Sequence, residues 1–195
     1  MTGLLFIFLF NRYNASFDFI FYAVFLCGLL VATFVDIQHR IIPDEISIGG
    51  AAAGLLLSAV RAVMFSEPSS RWYPVVDSFL GILIGGGIIF LIGYLFDLVY
   101  FKMLKKPPIQ GETESMGGGD VKLLAMIGAF LGWKSALITF FLAPFFGIAV
   151  GLVNLLAKKD HTIPYGPFLS LAAIAALLYG DRIIAAFFYN PFVAY

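Results

Sequence analysis

The chain has 195 residues, 61% of them hydrophobic and 12% charged, and a mean hydropathy of +0.96. A water-soluble domain of this length cannot hide so much apolar surface, which leaves a membrane protein with several spans. Its 12 basic and 12 acidic residues cancel, giving no electrostatic footprint for nucleic acid, and its single cysteine excludes a disulfide framework or a cysteine-based zinc site.

Apolar runs fall at residues 3–10, 17–37, 46–65, 75–101, 121–133, 135–157 and 163–188. The expected fold is all-α: a polytopic transmembrane helix bundle of about six to seven membrane segments, forming one transmembrane domain over residues 1–195. Most runs reach the ~20 residues that a bilayer requires. Run 3–10 is too short to span by itself, and run 121–133 reads as a tilted, thin or half-inserted helix. Asp181-Arg182 ends the last span near Tyr179. Cys27, inside an apolar run, reads as a small buried or lipid-facing residue. The N-terminus shows neither a basic n-region nor a small-residue cleavage site, so no cleavable signal peptide is expected.

Orientation follows the placement of Lys and Arg. With all runs crossing, one side holds Arg40, Lys102, Lys105, Lys106, Lys122, Lys158 and Lys159, and the other holds Arg12, Arg61, Arg71, Lys134 and Arg182. The lysine clusters assign the first side to the cytoplasm, with loops at about 38–45, 102–120 and 158–162. Asp36, at the end of one run, and Asp120, at the start of another, then share the cytoplasmic face.

Ionisable groups near membrane depth are costly and mark functional candidates. Two neighbouring carboxylates can share one proton: the ionised partner activates water, and the protonated one polarises a peptide carbonyl and then protonates the leaving amine. Gly117, Gly118 and Gly119 precede Asp120 and let an extended peptide approach the backbone, pairing as an added strand. Structural readings stand beside this. Asp120 fits an N-cap for a helix beginning near Val121, and Asp36 fits a partner for Arg40 four residues on. Either carboxylate alone suits the structural reading better; the two on one face favour catalysis. Lys122 reads as an interfacial cation, Pro43-Asp44 as a turn and helix cap, and Pro164-Tyr165-Gly166-Pro167 as a helix start with Pro in the first turn. Asp97 reads as interfacial, Glu112 and Glu114 as solvated, and His39 and His161 as lone histidines without a metal.

Gly117-Gly118-Gly119-Asp120-Val121-Lys122-Leu123 resembles the G-x-G-D-x-K-L signature of type IV prepilin peptidases, and Gly128-Ala129-Phe130-Leu131-Gly132 also fits. The stretch from Asp36 to Pro43-Asp44 is similar to their first-aspartate motif, and Ile163-Pro164-Tyr165-Gly166-Pro167-Phe168-Leu169 to their third. The resemblance implies a polytopic aspartyl endopeptidase of the bacterial inner membrane, sharing the GxGD feature with presenilin. Such enzymes remove the basic leader of type IV prepilins and type II secretion pseudopilins on the cytoplasmic side, ahead of an apolar helix. Asp36 and Asp120 match the catalytic aspartates. Gly117, Gly118, Gly119, Lys122, Pro43, Asp44, Pro164, Gly166 and Pro167 are the candidate substrate-binding positions.

Bifunctional members also carry an N-terminal domain with two CxxC pairs and methylate the new N-terminus with S-adenosylmethionine. Here the first residues, Thr2-Gly3-Leu4-Leu5-Phe6, resemble the segment after that domain, so the expectation is a peptidase core, naturally short or truncated, without methyl transfer. No cofactor or metal is expected; the expected partners are a prepilin or pseudopilin substrate and the lipid bilayer, with no nucleic acid. An archaeal preflagellin-type peptidase is the near alternative, against which Pro-Tyr-Gly-Pro-Phe favours the bacterial branch. A proton-coupled transporter is the alternative of a different class; the internal repeats common in transporters are not evident.

Overall fold

A computed structural model describes residues 2–103, 117–156 and 164–188. The regular elements among them are all helical: α1 (Thr2–Tyr13), α2 (Phe17–His39), α3 (Asp44–Phe65), α4 (Tyr73–Asp97), α5 (Gly118–Leu156) and α6 (Gly166–Phe188). A 3-10 turn, Pro68–Ser70, joins α3 to α4, and α4 runs on into a π-helical turn, Leu98–Met103. The fold is thus the expected all-α bundle. Lys105, Lys106, Glu112, Glu114, Lys158, Lys159 and His161 lie outside the described residues.

Helices satisfy their own backbone, which hydrocarbon demands. Four stretches are long and apolar enough to cross a membrane: Phe17–His39, Asp44–Phe65, Pro68–Tyr100 and Gly118–Leu152; Gly166–Gly180 is a shorter apolar helix. Leu56, Phe90, Phe145 and Cys27 point outward, a surface suited to lipid.

The seven apolar runs map onto six helices because 121–133 and 135–157 both fall on α5. That helix is not one rod. Gly132 has φ 78° and ψ 172°, backbone that is essentially confined to glycine. A methyl group on Gly85 of α4 would lie 2.6 Å from the Leu124 carbonyl oxygen and 3.5 Å from Ala136 Cβ. Twelve residues of straight helix would hold Leu124 and Ala136 ~18 Å apart, so the chain doubles back at Gly132. The second limb, residues 133–156, then runs beside α6, with Ser135 against Gly180 and Gly147 against Phe168. By length and composition Gly118–Leu152 looks like one long span; its geometry makes it a hairpin. The first limb, residues 118–131, is ~21 Å long, short of the ~30 Å hydrocarbon core. It is the short helix expected at 121–133, begun three residues earlier.

This short limb is the centre of the bundle. Leu123, Leu124 and Ile127 are fully buried, and Met126, Ala129 and Phe130 nearly so. A helix apolar on every face belongs inside. Glycines let its neighbours come close. On the α4 side, the backbones of Gly81 and Gly128 touch, and a methyl group on either would overlap the other's carbonyl. On the α3 side, a methyl group on Gly54 would lie 2.9 Å from Ala129 Cβ and from the Phe130 ring, and Gly50 makes room for Met126. Phe21 and Phe25 of α2 close the third side, their rings each 5.1 Å from that of Phe130.

Gly81→Ala and Gly128→Ala should each force α4 and α5 apart and lower stability by about 1–3 kcal/mol. Gly87→Ala, where a methyl group meets nothing within 4 Å, should leave stability unchanged or raise it. Thermal unfolding of the detergent-purified protein checks the contrast.

Candidate active site

Asp36 lies on the last turn of α2. The helix stops at Arg40, which takes left-handed backbone (φ 55°) and donates its N–H to the Asp36 carbonyl at 2.8 Å. The Asp36 side chain is not spent on Arg40. It is 5% exposed, and its Oδ2 accepts the N–H of Gly166 at 2.9 Å. Gly166 opens α6, where the first N–H groups lack intrahelical partners and a carboxylate is electrostatically favoured. A methyl group there would lie 2.6 Å from Asp36 Oδ2, so a side chain at this position displaces the carboxylate.

Asp120 lies in the first turn of α5, its N–H donating to the Gly117 carbonyl at 3.0 Å. The helix therefore begins at Gly118 and not near Val121, so Asp120 is not its N-cap. The carboxylate is half-buried and turns back over Gly117, where a methyl group would sit 3.4 Å from Oδ2. Gly119 packs on Ile42, with a methyl group meeting Ile42 Cβ at 3.0 Å. The short connector from α2 to α3 thus rests on the glycine start of α5, and two carboxylates 84 positions apart in sequence (120 minus 36) come to one end of the bundle. The contact of Gly119 with Ile42 and the bond from Gly166 to Asp36 hold them there.

Other candidate positions frame this pair. Lys122 Nζ is 2.6 Å from Asp44 Oδ1, tying the start of α5 to the start of α3. Both side chains are exposed, so the ion pair is worth about 0–1 kcal/mol and guides more than it holds. Asp44 is the first residue of α3 and does not cap it; Pro43 holds the N-cap place without a side-chain bond. Gly118 touches nothing that a methyl group would meet within 4 Å. Pro164 and Pro167 are half-buried on either side of Gly166, and Pro167 lies in the first turn of α6. Among the described residues, no group of three His, Cys, Asp or Glu could hold a metal ion. An apolar groove of about 680 Å³, lined by Trp133, Lys134, Phe141, Phe145 and Ile183, lies at the opposite end of the α5 hairpin, remote from the carboxylates.

Tyr165 was not legible as a site residue. Its carbonyl accepts the N–H groups of Phe168 and Leu169 at 3.0 and 3.2 Å, so it starts α6 beside the Gly166–Asp36 bond. Burial pushes its phenol above the usual value of 10.0, and the negative charge of Asp120 adds to the rise. The only sequence signal was its place inside the Pro-Tyr-Gly-Pro stretch.

Residues 23–152, which hold Asp36 and Asp120, match the Type IV leader peptidase family. The chain belongs to that family and is a multi-pass membrane protein. It is 30% identical over 178 residues to a prepilin leader peptidase/N-methyltransferase of Pseudomonas putida, an alignment covering 90% of this chain and 55% of the relative. Proteins of the same description from Stutzerimonas stutzeri and Pseudomonas aeruginosa are 32% and 31% identical, over 82% and 80% of this chain and 50% and 48% of theirs. The chain spans about half the length of these curated relatives. No solved structure matches it.

A phenol whose folded value is raised stays protonated while its unfolded counterpart ionises. Its stabilising contribution is therefore complete below pH 10 and is lost as pH climbs through the folded value. Ultraviolet titration of the protein against Tyr165→Phe should show Tyr165 ionising late. Asp120→Asn should bring that ionisation to lower pH; an unchanged curve would place the two groups out of reach of each other.

Proposed function

We propose that the chain is an aspartic endopeptidase that removes the N-terminal leader from type IV prepilins or type II secretion pseudopilins, with Asp36 and Asp120 as its catalytic pair. The carrying observation is that these two carboxylates, from separate helices, stand at one end of the bundle, where Gly119 packs on Ile42 and the Gly166 N–H holds Asp36. A pair of carboxylates sharing one proton does acid–base work at both ends of an amide. The ionised carboxylate takes a proton from water, and the water oxygen bonds to the scissile carbonyl carbon. The protonated carboxylate hydrogen-bonds to the carbonyl oxygen as it gains charge. Collapse of the tetrahedral species breaks the C–N bond, and the amine leaves with a proton returned by the pair.

The Gly166 N–H fixes one carboxylate, which orients it for water and peptide. The bare backbone at Gly117–Gly119 gives an extended leader junction a surface to lie along. Lys122, Asp44, Pro43, Pro164 and Pro167 form the rim that the substrate passes. The apolar helix of the substrate lies alongside the bundle in the bilayer. The lysine and arginine bias supports this end of the molecule lying at the cytoplasmic face of the bacterial inner membrane.

Co-expression with a prepilin, read by the gel shift of leader loss, tests it. The parent protein should process the precursor. Asp36→Asn and Asp120→Asn should each slow cleavage at least about 100-fold while accumulating normally in membranes. Full processing by either variant would reject the pair.

A further inference from the structure

The seam between α4 and the first limb of α5 is almost smooth. Gly81 lies on Gly128, Gly85 under the Leu124 carbonyl and Gly86 against Ala125. Axial register between helices normally comes from side-chain ridges seated in grooves, and along these glycines there are few ridges. Two polar contacts at the far end of the limb supply what is missing. Ser78 Oγ donates to the Ala129 carbonyl at 2.7 Å, and the Asp77 carboxylate accepts the backbone N–H of Trp133. That N–H opens the second limb, where helix amides have no internal acceptor, at a turn whose Gly132 is buried. Asp77 fits so tightly that a methyl group on Gly132 would overlap its carboxylate, and the charge of Lys134 lies beside it.

We propose that Asp77 is a positioning residue: by holding the Trp133 N–H it fixes how far the first limb of α5 rides along α4, and so the place of Asp120 against Asp36. Asp120 stands twelve residues, ~18 Å, from the turn on a rigid helix, so a slip at one end arrives undiminished at the other. A displacement of about 1 Å in a catalytic group is enough to cost up to about 100-fold in rate. The consequence for rate rests on the peptidase reading above; the control of register does not.

The test separates the two. In a Cys27→Ser background, Gly86→Cys and Ala125→Cys place cysteines across the seam, where a Cβ on Gly86 lies 3.2 Å from that of Ala125, near the span a disulfide bridges. Asp77→Ala should slow formation of this disulfide several-fold and lower kcat for prepilin cleavage at least about tenfold, with KM little changed. Asp77→Asn, which keeps an acceptor, should lie between Asp77→Ala and the parent. Oxidising the Asp77→Ala cysteine pair should restore kcat, and reduction should remove it again. Trp133→Pro deletes the donor and leaves Asp77 in place, at a helix position that tolerates Pro; it should reproduce the slow cross-linking even if Asp77→Ala fails to accumulate. Parental cross-linking in both variants, or a locked variant that stays slow, would overturn the proposal. A parent that cross-links as expected but cuts no prepilin would instead remove the peptidase reading.

Discussion

Everything in this bundle depends on how closely backbone can approach backbone at Gly81 and Gly128. In lipid there is no hydrophobic drive between helices, so packing at short range has to supply the attraction. Side chains at those two positions would hold α4 away from α5. The short limb would then lose its bed between α3, α4 and α2, and Leu123, Leu124 and Ile127 would lose their burial. The start of α5 is seated by the same contact. Asp120 meets Asp36 because the helix behind it is sunk to its full depth.

Polar groups inside the apolar mass are few, and each of the decisive ones is matched to backbone. Asp36 takes the first amide of α6, Asp77 the first amide of the second limb of α5, and Ser78 reaches the Ala129 carbonyl. Helix ends are where hydrocarbon is most punishing, because their amides have no internal partner. Placing carboxylates at two of them satisfies the amides and also orients the acids. At Gly166 the same bond that starts a helix also fixes the Asp36 side chain.

Much of this was legible in the sequence because apolar run length reports directly on membrane helices. Segments 17–37, 46–65 and 75–101 reappear as α2, α3 and α4 within a few residues. The common end for Asp36 and Asp120 followed from counting crossings, without any contact being known. The hairpin in α5 was harder. Lys134 suggested a break, but the turn is made at Gly132 by a backbone conformation that leaves no periodicity signal. Asp77 passed unnoticed because a lone acid near the start of a run resembles an interfacial residue. Its meaning depends on an amide 56 positions away (133 minus 77). Tyr165 and Ile42 escaped for the same reason, since each matters through what folds against it. Asp44 was read as a cap from local spacing, and a tertiary partner, Lys122, claimed it instead.

The hairpin also settles a question of parity. A limb of ~21 Å does not cross a ~30 Å core unaided, and a miscounted crossing would ordinarily invert every segment after it. Here the chain turns at Gly132 and comes back along α6, so the second limb ends on the side where the first began, whatever depth the turn reaches. Gly147 beside Phe168 shows the return, since Phe168 is two residues from the amide that holds Asp36. The two acids and the start of α6 are therefore kept at one face by a closed loop of contacts. A helix too short to span is no defect in such a design: it ends at a turn packed on Asp77 of α4, and that turn becomes the place from which its other end is held.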